Sequence, residues 1–220
     1  LKTLFYPMAF FDFETISPII PKWHHTYSRQ QIPFQFSCHV MNSPFDVPSH
    51  HEFIGNGTDD PRLELIQKMI KVIPKNACIL VYNEDFEKKV IEDLAMAYPE
   101  FHDELMARHA YIRDLMIPFK ERHIYSHHLA GRYSIKKILP LLCPELTYDS
   151  LEIQDGLQAL NDYLKLETLT DEHSKTQITQ ELLAYCKLDT YGMIEILKQV
   201  EKIAQSPEYL KTLLVNFVPE

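Results

Sequence analysis

The sequence predicts an α/β domain built on a mixed sheet, three strands antiparallel and two parallel, flanked by helices and followed by a helical C-terminal part. Three observations carry this prediction. An apolar run from about Phe5 alternates like a strand, two further strand-like segments follow it with no helix between, and helix-spaced segments then separate two more short apolar runs. Strands joined directly suit an antiparallel meander, whereas a helix between strands implies a parallel crossover.

The first run ends in "FFDFET", residues 10–15. In an extended strand Met8, Phe10, Asp12 and Glu14 share one face and Ala9, Phe11 and Phe13 the other. Two carboxylates on one face of an apolar strand oppose each other's ionisation unless a cation neutralises them or they reach water. The stretch asks for a metal.

"PFQFSCHVM" (33–41) and "HHEFIG" (50–55) are the next strands, joined by the Pro- and Ser-bearing "NSPFDVPS". A helix is expected over 60–73, where acids and a Pro precede Leu63, Ile66, Ile70 and Ile73 at helical spacing. "ACILVYN" (77–83) is a short apolar strand, "EDFEKKVIEDLAMAY" (84–98) an amphipathic helix, and "AYIRDLM" (110–116) a fifth strand. From about 134 the chain turns helical: "SIKKILPLLC", then 155–167, then a long segment over 176–204. No internal repeat or low-complexity tract interrupts it.

The 220 residues, 45% of them hydrophobic, suffice for one well-buried domain spanning 1–220. No apolar run approaches the roughly 20 residues of a membrane span, and a cytoplasmic protein without a membrane partner is expected. The scattered Cys38, Cys78, Cys143 and Cys186 form no C-x-x-C pair and suit a reducing compartment. The chain opens on Leu1 rather than Met, which leaves room for a longer polypeptide and fusion to other domains; with no heptad seam, a monomer is the default. A net charge of −9 argues against a module whose only task is gripping phosphates. It does not argue against an enzyme whose acids hold cations that then meet a phosphate.

Further acids stand where they could join the first pair. "NEDFE" begins at Asn83 after the fourth strand and sets Asp85 and Glu87 in the first turn of a helix, where acids also simply complement the helix dipole. "YCKLD" puts Tyr185 and Asp189 on one face of the last long helix; a half-buried Tyr beside an exposed acid is the ordinary alternative. The paired histidines 24–25, 50–51 and 127–128 read as surface residues, and Trp23 as cover for the core edge or a wedge against a terminal base.

Taken together, "DFET", "NEDFE" and "YCKLD", in this order and spacing, resemble the three motifs of the DEDD superfamily of 3′–5′ exonucleases. This is the DnaQ-like branch of the ribonuclease-H fold, here in its tyrosine-bearing subclass, and the likeness runs from about residue 5 to 204. "RYSIKKILPLLCPELTYDSLEIQDGLQAL" and "YCKLDTYGM" are further similar to a poorly characterised bacterial family within it, a domain of unknown function carried at the end of longer proteins. The resemblance implies a ribonuclease-H-like sheet and two-metal hydrolysis of phosphodiester bonds at the 3′ end of single-stranded DNA or RNA.

By the same resemblance Asp12, Glu14, Glu87 and Asp189 would hold two ions, Mg²⁺ or Mn²⁺, as suits an all-carboxylate site. Tyr185 would orient the attacking water. One departure stands out: Glu87 occupies a position where the superfamily usually has Asp, with Asp85 as a substitute of the wrong offset. A nuclease-like module with weakened turnover is therefore the alternative. Thr15, Asn83 and Phe86 would meet substrate, and the basic stretch 119–137, with Arg132, Lys136 and Lys137 interleaved with Tyr125 and Tyr133, would grip its backbone.

Overall fold

The computed structural model describes residues 1–215. Its elements run β1 (Met8–Ile16), β2 (Ile32–Met41), β3 (Ser49–Ile54), α1 (Arg62–Val72), β4 (Cys78–Val81), α2 (Glu84–Ala97), α3 (His102–His109), β5 (Ile112–Asp114), α4 (Ile117–Lys120), α5 (Ile135–Leu142), α6 (Gly156–Lys165), α7 (Glu172–Gln205) and α8 (Glu208–Val215). The five strands form one sheet in the order β3-β2-β1-β4-β5. β1–β2 and β2–β3 pair antiparallel, and β1–β4 and β4–β5 pair in parallel, as the strand–helix alternation predicts.

The period-two alternation of β1 divides the core in two. Met8, Phe10 and Ile16 pack with α5, α6 and α7 on one face of the sheet, while Ala9, Phe11 and Phe13 pack with α1, α2 and α3 on the other. β4 is apolar and buried along its whole length because helices cover both its faces. β2 changes face at Phe34. Glu14 pairs with Gln35 and Thr15 with Pro33, so Phe34 is an extra residue in the ladder. Its ring turns to the α6 side and stacks on Tyr163, centroids 3.8 Å apart, whereas Phe36 two positions on packs on the opposite face.

Several boundaries differ from expectation. β1 begins at Met8 rather than Phe5 and runs on past the acids to Ile16, because β2 still pairs with it there. β5 is only three residues long: the Asp114 carboxylate accepts from the backbone N–H groups of Asn83 and Met116, at 3.0 and 2.8 Å, and ends the strand. α3 stands where no element was expected, with acids in its first turn, bases in its last, and Leu105 and Arg108 buried.

Buried polar bonds lock α7 to β2. Gln35 Nε2 donates to the Leu182 carbonyl at 2.8 Å, the Ser37 and Thr190 hydroxyls lie 2.7 Å apart, and His39 Nδ1 is 2.8 Å from Thr190 Oγ1. Gly192 lets α5 approach α7, since a Cβ there would sit 2.8 Å from Leu139 Cδ2. The rotation of α7 about its own axis is thereby fixed, and with it the direction in which Tyr185 and Asp189 point.

Candidate metal centre

β4 pairs with β1 only as far as Phe10, opposite Leu80, so Asp12 and Glu14 stand where β1 continues beyond the carboxyl end of its parallel neighbour. Such ends of parallel strands are where open α/β sheets place their ligands. α7 crosses this edge and delivers Asp189. Carboxylate oxygens of Asp12, Glu14 and Asp189 lie within 4.8 Å of one another, with Asp189 buried and the other two in partial contact with solvent. Among the described residues this is the group placed to hold a metal ion.

The electrostatics express the crowding. Burial and the charge of Asp189 hold the Asp12 carboxyl well above the usual carboxylate range, against the opposing pull of Cys186, whose thiol lies 3.5 Å from Asp12 Oδ2, and of Lys136. Glu14 is raised by burial and then by Asp12 and Asp189. Asp189 is raised by burial to about 6, restrained by the Tyr148 hydroxyl, which donates to Asp189 Oδ1 at 2.5 Å, and by Lys136. Asp189 raises Asp12, and both raise Glu14, so the trio is a cation site by composition as well as by geometry.

Glu87 stands outside this trio, but near enough for Asp12 and Glu14 to act on its carboxyl. Its position in the first turn of α2 permits an ordinary dipole role, yet the side chain is 2% exposed and Oε2 has no hydrogen-bond partner. Its carboxyl is raised chiefly by burial and next by Asp12. A buried carboxylate oxygen left without a donor is costly, and a hard cation beside it would remove that cost. The neighbouring Asp85 is exposed and plays no such part. Asn83, which opens α2, adopts a left-handed conformation (φ 96°), so the chain turns sharply between β4 and the helix carrying Glu87.

Tyr185 is 3% exposed, and burial followed by Asp189, Glu14 and Asp12 pushes its hydroxyl far above its ordinary value, so it stays a neutral phenol. The expected face-sharing with Asp189 is observed, and both side chains point into the core rather than leaving an exposed acid. Lys136 departs from its expected place on a basic surface. It reaches inward from the first turn of α5, donates to the Tyr185 hydroxyl at 2.7 Å and to the Gln154 carbonyl at 2.8 Å, and lies over the Tyr185 and Tyr148 rings. Lys137 is exposed.

Arg132 lines a cleft of about 720 Å³ together with Tyr82, Asn83, Lys120 and Tyr133. Along the chain the cleft adjoins site-bearing elements: Asn83 in its wall precedes α2, and Ile135, also in its wall, precedes Lys136. Thr15 lies at the β2 bulge and donates to Gln31 Oε1 at 2.6 Å, and Phe86 is half-buried against the α1–α3 side of the core. Trp23 covers the edge of the α5–α7 core. The histidine pairs divide: His24, His25 and His127 are exposed, while His50 is half-buried with Nε2 3.0 Å from the Ser37 hydroxyl and its pKa lowered by burial to about 4.

Sequence reasoning missed Tyr148 and Asp114, which belong to no recognisable spacing, and the inward course of Lys136. Lysine beside lysine in a basic stretch reads as solvated surface; only the Tyr185 hydroxyl, 49 residues along the chain, turns one of the two inward.

No helix among the described residues is long and apolar enough to cross a membrane. No curated protein and no solved structure matches the chain. A family model described as Domain of unknown function (DUF2779) matches residues 9–134, from β1 to the foot of α5, and so includes Asp12, Glu14, Asn83, Glu87 and Arg132 but stops short of Lys136, Tyr185 and Asp189. The match covers more than half of the 220 residues, and the chain belongs to that family.

Proposed function

We propose that the chain is a metal-dependent 3′–5′ exonuclease that hydrolyses phosphodiester bonds of single-stranded DNA or RNA. The observation that carries this reading is the convergence of Asp12, Glu14 and Asp189, from opposite ends of the chain, with carboxylate oxygens within 4.8 Å. The orphaned oxygen of Glu87 beside them supports it. The donor set is all oxygen, which suits Mg²⁺ or Mn²⁺ and disfavours softer metals. Bound there, a pair of such ions would supply an activated water and charge neutralisation at the phosphate and the leaving oxygen.

The remaining work belongs to the chain's own groups. Asp12, Glu14 and Asp189 would hold the ions, with Glu87 as a further carboxylate for them. Glu87 keeps a carboxylate where an Asp is the usual residue, and its longer side chain is accommodated by burial rather than turned to solvent. Tyr185, held neutral, positions the water by a hydrogen bond instead of abstracting a proton. Lys120 and Arg132 in the neighbouring cleft attract the phosphates of the approaching strand, with Tyr82 and Tyr133 there to meet unpaired bases. A soluble monomer in the cytoplasm is the setting we assign.

The test is incubation of the purified chain with end-labelled single strands in Mn²⁺, repeated in EDTA and with Asp12→Ala. Stepwise shortening from the 3′ end that vanishes in both controls supports the enzyme. The absence of shortening in Mn²⁺, and again with Mg²⁺ in its place, would assign the chain to the other reading, a nuclease-like binding module.

A further inference from the structure

We infer that Lys136 is a positioning residue for this reaction, fixing the Tyr185 hydroxyl as a hydrogen-bond donor aimed at the reacting phosphate or its attacking water. The inference rests on the phosphodiesterase reading of the acid centre and adds a residue to it. A phenol has one proton to donate and lone pairs to accept with, whereas an ammonium group can only donate. Because Lys136 Nζ lies 2.7 Å from the Tyr185 oxygen, the tyrosine must be the acceptor in that bond. Its own proton is left over, and among the described residues it has no acceptor.

Three contacts hold the lysine to this single task. Nζ also donates to the Gln154 carbonyl at 2.8 Å, and it sits 4.6 Å from the centroid of the Tyr185 ring and 5.5 Å from that of Tyr148. It forms no ion pair with Asp12, Glu14 or Asp189, although its charge is felt by all three. Lys136 therefore neither ligates in place of a carboxylate nor blocks a cation from reaching one. Bridging α5, the segment before α6 and α7, it sets the polarity of the Tyr185 hydroxyl, whereas the Tyr148 hydroxyl is already committed to Asp189. Without it, Tyr185 could rotate its proton away or accept from the water it is meant to direct.

The experiment is a double-mutant cycle on single-stranded oligonucleotide hydrolysis in Mn²⁺ with Lys136→Met, Tyr185→Phe and the double variant, accompanied by calorimetric Mn²⁺ titration and thermal melts of each. Lys136→Met should lower kcat ~10- to 100-fold, the range a charge-assisted hydrogen bond carries, with KM within about threefold. In the Tyr185→Phe background it should cost almost nothing more, since its effect passes through the hydroxyl. Mn²⁺ should bind Lys136→Met at least as tightly as the wild type, because a positive charge is removed and no ligand is. Additive losses in an active wild type, a raised KM with kcat intact, or weakened Mn²⁺ binding would each overturn the inference alone. A wild type with no turnover in Mn²⁺ would take the phosphodiesterase reading down with it.

Discussion

Replacing Asp189 by Asn should stabilise the metal-free protein. Asp189 is 5% exposed and its carboxyl is raised from 3.8 to about 6 by burial, with Asp12 and Glu14 alongside. One pKa unit corresponds to about 1.4 kcal/mol, so keeping this group charged in the folded chain costs about 3 kcal/mol. The folded value lies above the unfolded one, so the folded chain binds the extra proton. The contribution of Asp189 to stability is therefore highest below pH 3.8, falls as pH rises toward about 6, and stays low above it. Asp189→Asn removes the charge while the amide oxygen can still accept from Tyr148.

In EDTA at pH 8 the variant should melt higher than the wild type by roughly 6–12 °C, at about 2–4 °C per kcal/mol for a chain of this size. The gap should narrow steadily as the buffer is taken toward pH 4. Mn²⁺ should reverse the order at pH 8. A ligand at a thousand times its Kd adds about 4.1 kcal/mol to the chain that binds it, more than the gap it has to overcome, and the variant has lost a ligand. Scanning calorimetry across pH 4–8, with and without Mn²⁺, checks both halves. A variant that melts at or below the wild type in EDTA at pH 8, or a gap independent of pH, would refute the argument that burial opposes the charge of Asp189.

Tyr148→Phe should destabilise the metal-free protein at pH 8 by about 1.5–3 kcal/mol in urea unfolding, since it strips the 2.5 Å hydrogen bond from a buried carboxylate; an unchanged midpoint would mean that bond carries nothing. Lys120→Ala with Arg132→Ala should weaken oligonucleotide binding and flatten its dependence on log salt by about 0.7 for each phosphate no longer neutralised, read by fluorescence anisotropy. An unaltered slope would remove the cleft from the strand's path. Arg108→Met should cost at least about 1–3 kcal/mol with the acid centre untouched, because Arg108 caps the end of α1 through the Ile70 and Ile73 carbonyls, at 2.8 to 3.0 Å, and pairs with Glu104. Chemical denaturation and Mn²⁺ affinity measured on the same samples separate the two.

How much of this was readable from the sequence depended on whether a signal was local. The alternation of β1 is local: each residue's side of the sheet follows from its parity, so the sharing of one face by Asp12 and Glu14, and the division of Phe10 from Phe11 and Phe13, follow directly from residue order. The Tyr185–Asp189 spacing is local too. Their burial is not, because it depends on Gln35, Ser37 and His39 of β2 turning α7 to one rotation, and those three read merely as polar interruptions of an apolar strand. The bulge at Phe34 that sets this facing carries no Gly to announce it.

Glu87 and Lys136 belong to a different category, for each has an unremarkable local explanation: an acid at a helix start, a lysine in a basic stretch. Only what surrounds them separates function from that explanation, and in both cases the discriminating feature is a cost. An acid that merely complements a helix dipole can do so from solvent, as Asp85 does in the same turn; Glu87 is buried with an oxygen unsatisfied. A lysine that merely solvates a surface keeps its head in water, as Lys137 does; Lys136 gives two of its three N–H groups to a hydroxyl and a carbonyl beside a carboxylate cluster. Side chains in the same sequence setting that avoid these costs show that the backbone does not impose them. What the two inward residues share is the acid centre, and its demands account for both.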